Sequence, residues 1–125
     1  MKKILIVDDE PDQLGLLVDV MQDKCIVLQA NRGDEALKIF LEENPDAVSL
    51  DISLAGALQG NHLLKIIKHS RPEIPVVMVT GYSHLKAQMI ALGVDKFMLK
   101  PVDPFEFLSF FKERGLLNGT LETSG

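Results

Sequence analysis

Short apolar runs at 4–7, 25–28, 47–50, 76–79 and 97–99 punctuate the chain, and between them apolar positions recur three and four residues apart. The runs are short, branched and bounded by turn-forming or charged residues, so they predict strands rather than helices. The first run ends in Asp8, Asp9 and Glu10. Pro11 and Asp12 then suit a first helical turn, and Leu14, Leu17, Val18 and Met21 mark one helical face. Gly33 and Asp34 open a second helix through Ala36, Ile39 and Phe40, which Asn44 and Pro45 stop. Further helical stretches are predicted around 63–67 and 85–92, with a last one beginning near Asp103. Met21, Met78, Met89 and Met98 fall in apolar patterns, as core filler does.

Five strands alternating with five helices predict an α/β fold whose parallel sheet is covered on both faces, because parallel neighbours need crossover connections. In such sheets, functional loops gather at the carboxyl ends of the strands. Periodicity fades after residue 114, which divides the chain into one domain over 1–114 and a tail or linker over 115–125.

Composition narrows the function classes. A length of 125 residues fits one domain, and 46% hydrophobic with 25% charged residues argues against disorder. The longest uninterrupted apolar run is four residues, so no membrane span is expected. Cys25 is the single cysteine, which excludes an internal disulfide or cysteine metal cluster and makes the reducing cytoplasm the expected compartment. The net charge of −5 has the wrong sign for gripping phosphate backbones, so direct nucleic-acid binding is not expected.

The polar residues that follow the strands carry the chemistry: Asp8 and Asp9 after the first, Asp51 after the third, Thr80 after the fourth, Lys100 and Pro101 after the fifth. Two carboxylates ~4 Å apart repel by ~4 kcal/mol at an effective dielectric of ~20, so three together call for a cation or raised pKa values. A hard divalent ion, magnesium before calcium, suits a few carboxylates plus waters and a phosphate. Asp51 fits the role of a phosphoryl-accepting nucleophile, Lys100 that of a compensating charge and Thr80 that of a hydroxyl donor to a phosphoryl oxygen. A carboxylate nucleophile is already ionised at neutral pH and needs no general base.

The segments ILIVDDEP around Asp8 and Asp9, DAVSLDISL around Asp51, PVVMVTGY around Thr80 and FMLKP around Lys100 resemble the receiver domains of two-component response regulators. The resemblance covers residues 2 to about 114. It implies a flavodoxin-like, doubly wound, five-stranded parallel sheet of order 2-1-3-4-5. It further implies Mg2+ held by Asp9, Asp51 and the backbone carbonyl of Ser53, with Asp8 acting through metal-bound water. The phosphoryl group would come to Asp51 from a histidine kinase or phosphotransfer protein and be clasped by Lys100 and Thr80. Such a domain is a signalling switch that catalyses its own phosphorylation and dephosphorylation and turns over no metabolite. A cis peptide bond between Lys100 and Pro101 belongs to the same resemblance.

Departures from the family pattern fall in the loop after Asp51. Ala55 stands where proline is usual and Gly60 arrives one position late, which reads as one extra residue and predicts a more mobile loop. Gly81 replaces a common alanine, and Phe97 stands at an aromatic position tied by the family pattern to movement of Thr80. The resemblance further implies that Ser53 and Tyr82, two residues after Asp51 and Thr80, flank the path of an attacking water. Phe105, Phe107, Leu108, Phe110 and Phe111 spread more widely than one buried helical stripe, so at least one phenylalanine is expected on the surface, where it could serve a phosphorylation-dependent homodimer or a target protein.

Three alternatives compete. A magnesium-dependent phosphatase with an aspartate nucleophile usually carries a second acid two residues later, where this chain has Ser53. A nucleotide- or flavin-binding domain lacks its glycine-rich signature here. An inactive receiver used only as a protein interaction module would not need the complete acceptor set. His62 and His69, two helical turns apart, and His84 read as surface residues.

Overall fold

A computed structural model describes residues 1–118 of the chain. Its strands are β1 (Lys3–Val7), β2 (Ile26–Ala30), β3 (Ala47–Leu50), β4 (Val76–Thr80) and β5 (Lys96–Leu99), and its helices are α1 (Pro11–Met21), α2 (Gly33–Glu43), α3 (Gly60–Ser70), α4 (Lys86–Ala91) and α5 (Pro104–Lys112). The strands form one parallel sheet in the order β2-β1-β3-β4-β5. This is the doubly wound arrangement expected from the alternation, with the order that the resemblance implied.

Successive strand residues point to opposite faces, and the two faces carry separate cores. Leu5, Val7, Val48, Leu50, Val76 and Met78 face α2, α3 and α4, where they meet Phe40, Leu64, Ile67 and Met89. Ile4, Ile6, Val77, Val79 and Met98 face α1 and α5, against Leu17, Met21, Phe107, Phe110 and Phe111. The inner strands are therefore apolar on both sides, which is why β1 and β4 read as unbroken runs.

Three expectations shift. The second strand begins at Ile26 and extends to Ala30, because its register follows β1, with Lys3 opposite Ile26 and Val7 opposite Ala30. Cys25 lies in the preceding turn, buried, its thiol donating to the Met21 carbonyl at 3.6 Å, and burial pushes its pKa up to about 11. The predicted fourth helix divides into a 3-10 turn over Ser83–Leu85 and the short α4. The expected tail starts differently: the chain turns at Gly115 (φ 71°), buries Leu117 on the α1–α5 side and donates the Asn118 N–H to the Lys24 carbonyl at 2.6 Å. The rest of that expected tail, 119–125, lies outside the described residues.

Candidate functional site

Parallel strands end at the same edge, and three of the four pairs of neighbours are stitched past the end of a strand. The Asp8 N–H donates to the Ala30 carbonyl, Asp51 N–H to Val7 and Lys100 N–H to Thr80, at 3.1, 3.0 and 2.9 Å. These bonds carry the backbone order of the sheet one residue beyond the apolar runs, and that is what brings Asp8, Asp51 and Lys100 together from positions far apart in the chain. The peptide bond before Pro101 is cis.

The Lys100 ammonium donates to Asp51 Oδ2 at 2.8 Å and to Asp8 Oδ1 at 3.3 Å. Asp8 Oδ1 also accepts the Glu10 N–H at 2.9 Å, and Asp51 Oδ1 accepts the Ser53 N–H at 3.3 Å. Asp8 is 1% exposed and Asp51 4%, whereas Asp9 lies open to solvent; one carboxylate oxygen from each falls within 4.8 Å of the others. Thr80 is fully buried, and its Oγ1 accepts a long bond, 3.4 Å, from the Tyr82 N–H. Every side chain expected at this edge is therefore there: Asp8, Asp9, Asp51, Thr80 and Lys100.

Burial is the largest influence on Asp8 and holds its carboxyl above the usual 3.8, with the Asp51 charge adding to it and the Glu10 N–H and Lys100 opposing. Burial pulls Lys100 down, but its bond to Asp51 and the charges of Asp51 and Asp8 outweigh that and leave the ammonium above its usual 10.5. The site is thus acidic beyond what one lysine neutralises. Lys100 Nζ lies 3.1 Å from Asp8 Oδ2, in ion-pair range but out of hydrogen-bonding alignment, so that buried oxygen has no hydrogen-bond partner among the described residues. An orphaned buried carboxylate oxygen beside two further carboxylates fits a hard cation or its water. The acidic cluster is thus able to hold a metal ion.

Sequence reasoning missed Gln59 beside this site, and with it the bond made by His62, which lies on the surface as expected. The Gln59 carboxamide closes the β3–α3 loop: its Oε1 accepts the Leu54 N–H at 2.9 Å, and its Nε2 donates to the carbonyls of Leu54 and Gly56 at 2.9 and 2.7 Å. His62 Nδ1 accepts the Gln59 N–H at 3.1 Å. A bridge between Arg32 and Ala55 ties the same loop to the start of α2. The loop expected to gain freedom from Ala55 and Gly56 is instead braced along its length. The helix-cap spacing of Gln59 and His62 was the one signal available, and glutamine is a weak one.

The family model for the response regulator receiver domain matches residues 4–112. The chain belongs to the response regulator receiver domain family. As a receiver domain it is a signalling module of two-component systems. Among relatives, it is 40% identical over 102 residues to the nitrogen assimilation regulatory protein NtrX of Azorhizobium caulinodans, covering 78% of this chain and 22% of that protein. It is 35% identical over 108 residues to the alkaline phosphatase synthesis transcriptional regulatory protein PhoP of Bacillus subtilis, covering 84% of this chain and 45% of that one. The receiver domain thus spans less than half the length of either relative. Among solved structures, a CheY-like receiver domain protein of Methanospirillum hungatei JF-1 superposes with a TM-score of 0.84 at 31% identity, covering 91% of this chain and 93% of that one. No helix of the described residues is long and apolar enough to cross a membrane.

Proposed function

We propose that this receiver domain is a cytoplasmic phosphorylation switch that accepts a phosphoryl group on Asp51 from a histidine kinase or phosphotransfer protein, with Mg2+ assistance. The observation that carries the reading is the 2.8 Å contact between the Lys100 ammonium and Asp51 Oδ2, beside Asp8, Asp9 and buried Thr80 at one sheet edge. In the proposed transfer, an Asp51 carboxylate oxygen attacks phosphorus as the bond to the donor imidazole nitrogen breaks. The bonding electrons leave with that nitrogen, which takes up a proton from solvent. Lys100 supplies positive charge against the phosphoryl oxygens, and the Thr80 hydroxyl, free to turn from its long contact with Tyr82, donates to one of them. Asp9, Asp51 and the Ser53 carbonyl would hold Mg2+, with Asp8 reaching it through water. When bound, the ion offsets repulsion between the carboxylates and the phosphoryl oxygens. Hydrolysis by water returns the Asp51 carboxylate and inorganic phosphate.

Output follows from a surface. Phe105 at the start of α5 is 79% exposed, and Leu99 at the end of β5 is also exposed. Phe97 lies partly buried against the α2–α4 core, one strand over from Thr80. A turn of that ring when Thr80 moves would reshape this face and favour a homodimer or a target protein in the phosphorylated state. The test of the acceptor is intact mass after treatment with acetyl phosphate and MgCl2. One phosphoryl mass is expected on the native chain and none on Asp51→Asn; the same mass on both would overturn the assignment.

A further inference from the structure

The Ser53 carbonyl is the one ligand in the proposed metal site that no side-chain rotamer sets; its direction depends on the two peptide planes flanking the Ser53 Cα. Both are pinned. The plane before it donates its N–H to Asp51 Oδ1 at 3.3 Å, and the plane after it donates the Leu54 N–H to Gln59 Oε1 at 2.9 Å. In a planar trans peptide the C=O and N–H point in opposite directions, so fixing the Leu54 N–H fixes the Ser53 carbonyl. We infer that Gln59 is a positioning residue for metal binding, acting on the Ser53 carbonyl through the shared peptide group; this rests on the metal site proposed above.

The carboxamide is suited to the task because it is bonded at both ends. Its Nε2 is held by the carbonyls of Leu54 and Gly56, which leaves Oε1 no freedom to swing from the Leu54 N–H. Its backbone is anchored as well: the Gln59 N–H sits on His62 Nδ1, and the next N–H, that of Gly60, donates to the Ile52 carbonyl at 2.8 Å. The start of α3 therefore grips the segment 52–56 through four hydrogen bonds from two adjacent residues. With Ala55 lacking the ring constraint of a proline, the side chain of Gln59 supplies the rigidity of this turn.

The experiment separates positioning from mere helix capping. Titration of the metal-free protein with MgCl2, followed by the carbonyl 13C shift of Ser53 and by calorimetry, gives the Mg2+ dissociation constant without any phosphoryl transfer. Gln59→Asn keeps a good helix cap but is one methylene too short for the Leu54 bond. It should weaken Mg2+ about tenfold, the low end of the ~10–100-fold range for residues that orient a metal ligand. Gln59→Ala should match it. His62→Ala loosens the same helix end but leaves the Gln59 side chain on the Leu54 peptide, and should weaken Mg2+ far less than Gln59→Asn. An unchanged constant in Gln59→Asn, or equal weakening in His62→Ala, overturns the inference while the metal site stands. Failure of the native chain to shift the Ser53 carbonyl with Mg2+ overturns the metal site itself and the inference with it.

Discussion

Adding one methyl group at each of two glycines should move stability in opposite directions. A Cβ at Gly60 would collide with the Asp51 carbonyl and lie 2.7 Å from Ile52 Cα, where carbon–carbon contact needs ~3.5–4.0 Å. Relief requires about 1 Å of backbone movement between α3 and the end of β3. Overpacking of this kind costs ~1–3 kcal/mol, and displacement breaks the Gly60 N–H bond to Ile52 for roughly 1 kcal/mol more. Alanine's helical preference returns at most ~1 kcal/mol. Gly60→Ala should therefore lose about 2–3 kcal/mol in urea denaturation. Because the atoms pushed aside belong to Asp51 and Ile52, phosphorylation by acetyl phosphate should slow as well, by up to ~100-fold for a ~1 Å misplacement. Gly15, within α1, has nothing within 4 Å of its would-be Cβ, and Gly15→Ala should gain ~0.5–1 kcal/mol with no change in phosphorylation rate. A Gly60→Ala variant as stable and as fast as the native chain would refute the claim that α3 and Asp51 are held at a distance only glycine allows.

Three further outcomes are expected. Burial raises the Asp8 carboxyl, so its contribution to stability is fully present below the unfolded value near 3.8 and is lost as pH rises through the higher folded value. Metal-free Asp8→Asn should thus be more stable than the native chain at pH 7, with the difference closing toward pH 3.8; urea titrations at several pH values check this, and a less stable variant at pH 7 would contradict it. Tyr82, 46% exposed two residues beyond Thr80, is expected to shield a phosphoryl group on Asp51, so Tyr82→Ala should shorten the phosphate's lifetime in a mass-spectrometric decay series, and a longer or equal lifetime removes shielding as the cause. Sedimentation with and without beryllofluoride should show association only in the mimic-bound state, diminished by Phe105→Ser; a dimer indifferent to that change places the contact on another face.

Strands β1, β3 and β4 were legible because each is buried on both faces and leaves an unbroken or nearly unbroken apolar signature. The edge strand β2 was displaced in the reading because Gln29 interrupts its apolar pattern, while its true limits are set by pairing with β1, a relation absent from local sequence. The acidic and basic side chains of the site were legible since each directly follows an apolar run. The loop after Asp51 was misjudged for the opposite reason. Its rigidity comes from a glutamine several residues downstream, whose bonds form only once α3 has docked, whereas a lost proline and a late glycine dominate the local pattern. Leu116 and Leu117 were assigned to a tail because two apolar residues have no periodicity to declare, yet the α1–α5 core takes them up.

The two-sided burial of β1 has a consequence for how the gene tolerates error. Ile4 and Ile6 serve one core, Leu5 and Val7 the other, and the four side chains are close to interchangeable in size and polarity. A one-codon deletion within this stretch would swap the faces of the remaining apolar side chains with little conflict among them, so the hydrophobic code alone is nearly blind to the reading position of the strand. What records that position is the residue after the run. The same deletion would draw Asp8 into the buried place of Val7 and take its carboxylate off the edge where Lys100 lies. The strand's frame is thus written in its acids rather than in its core.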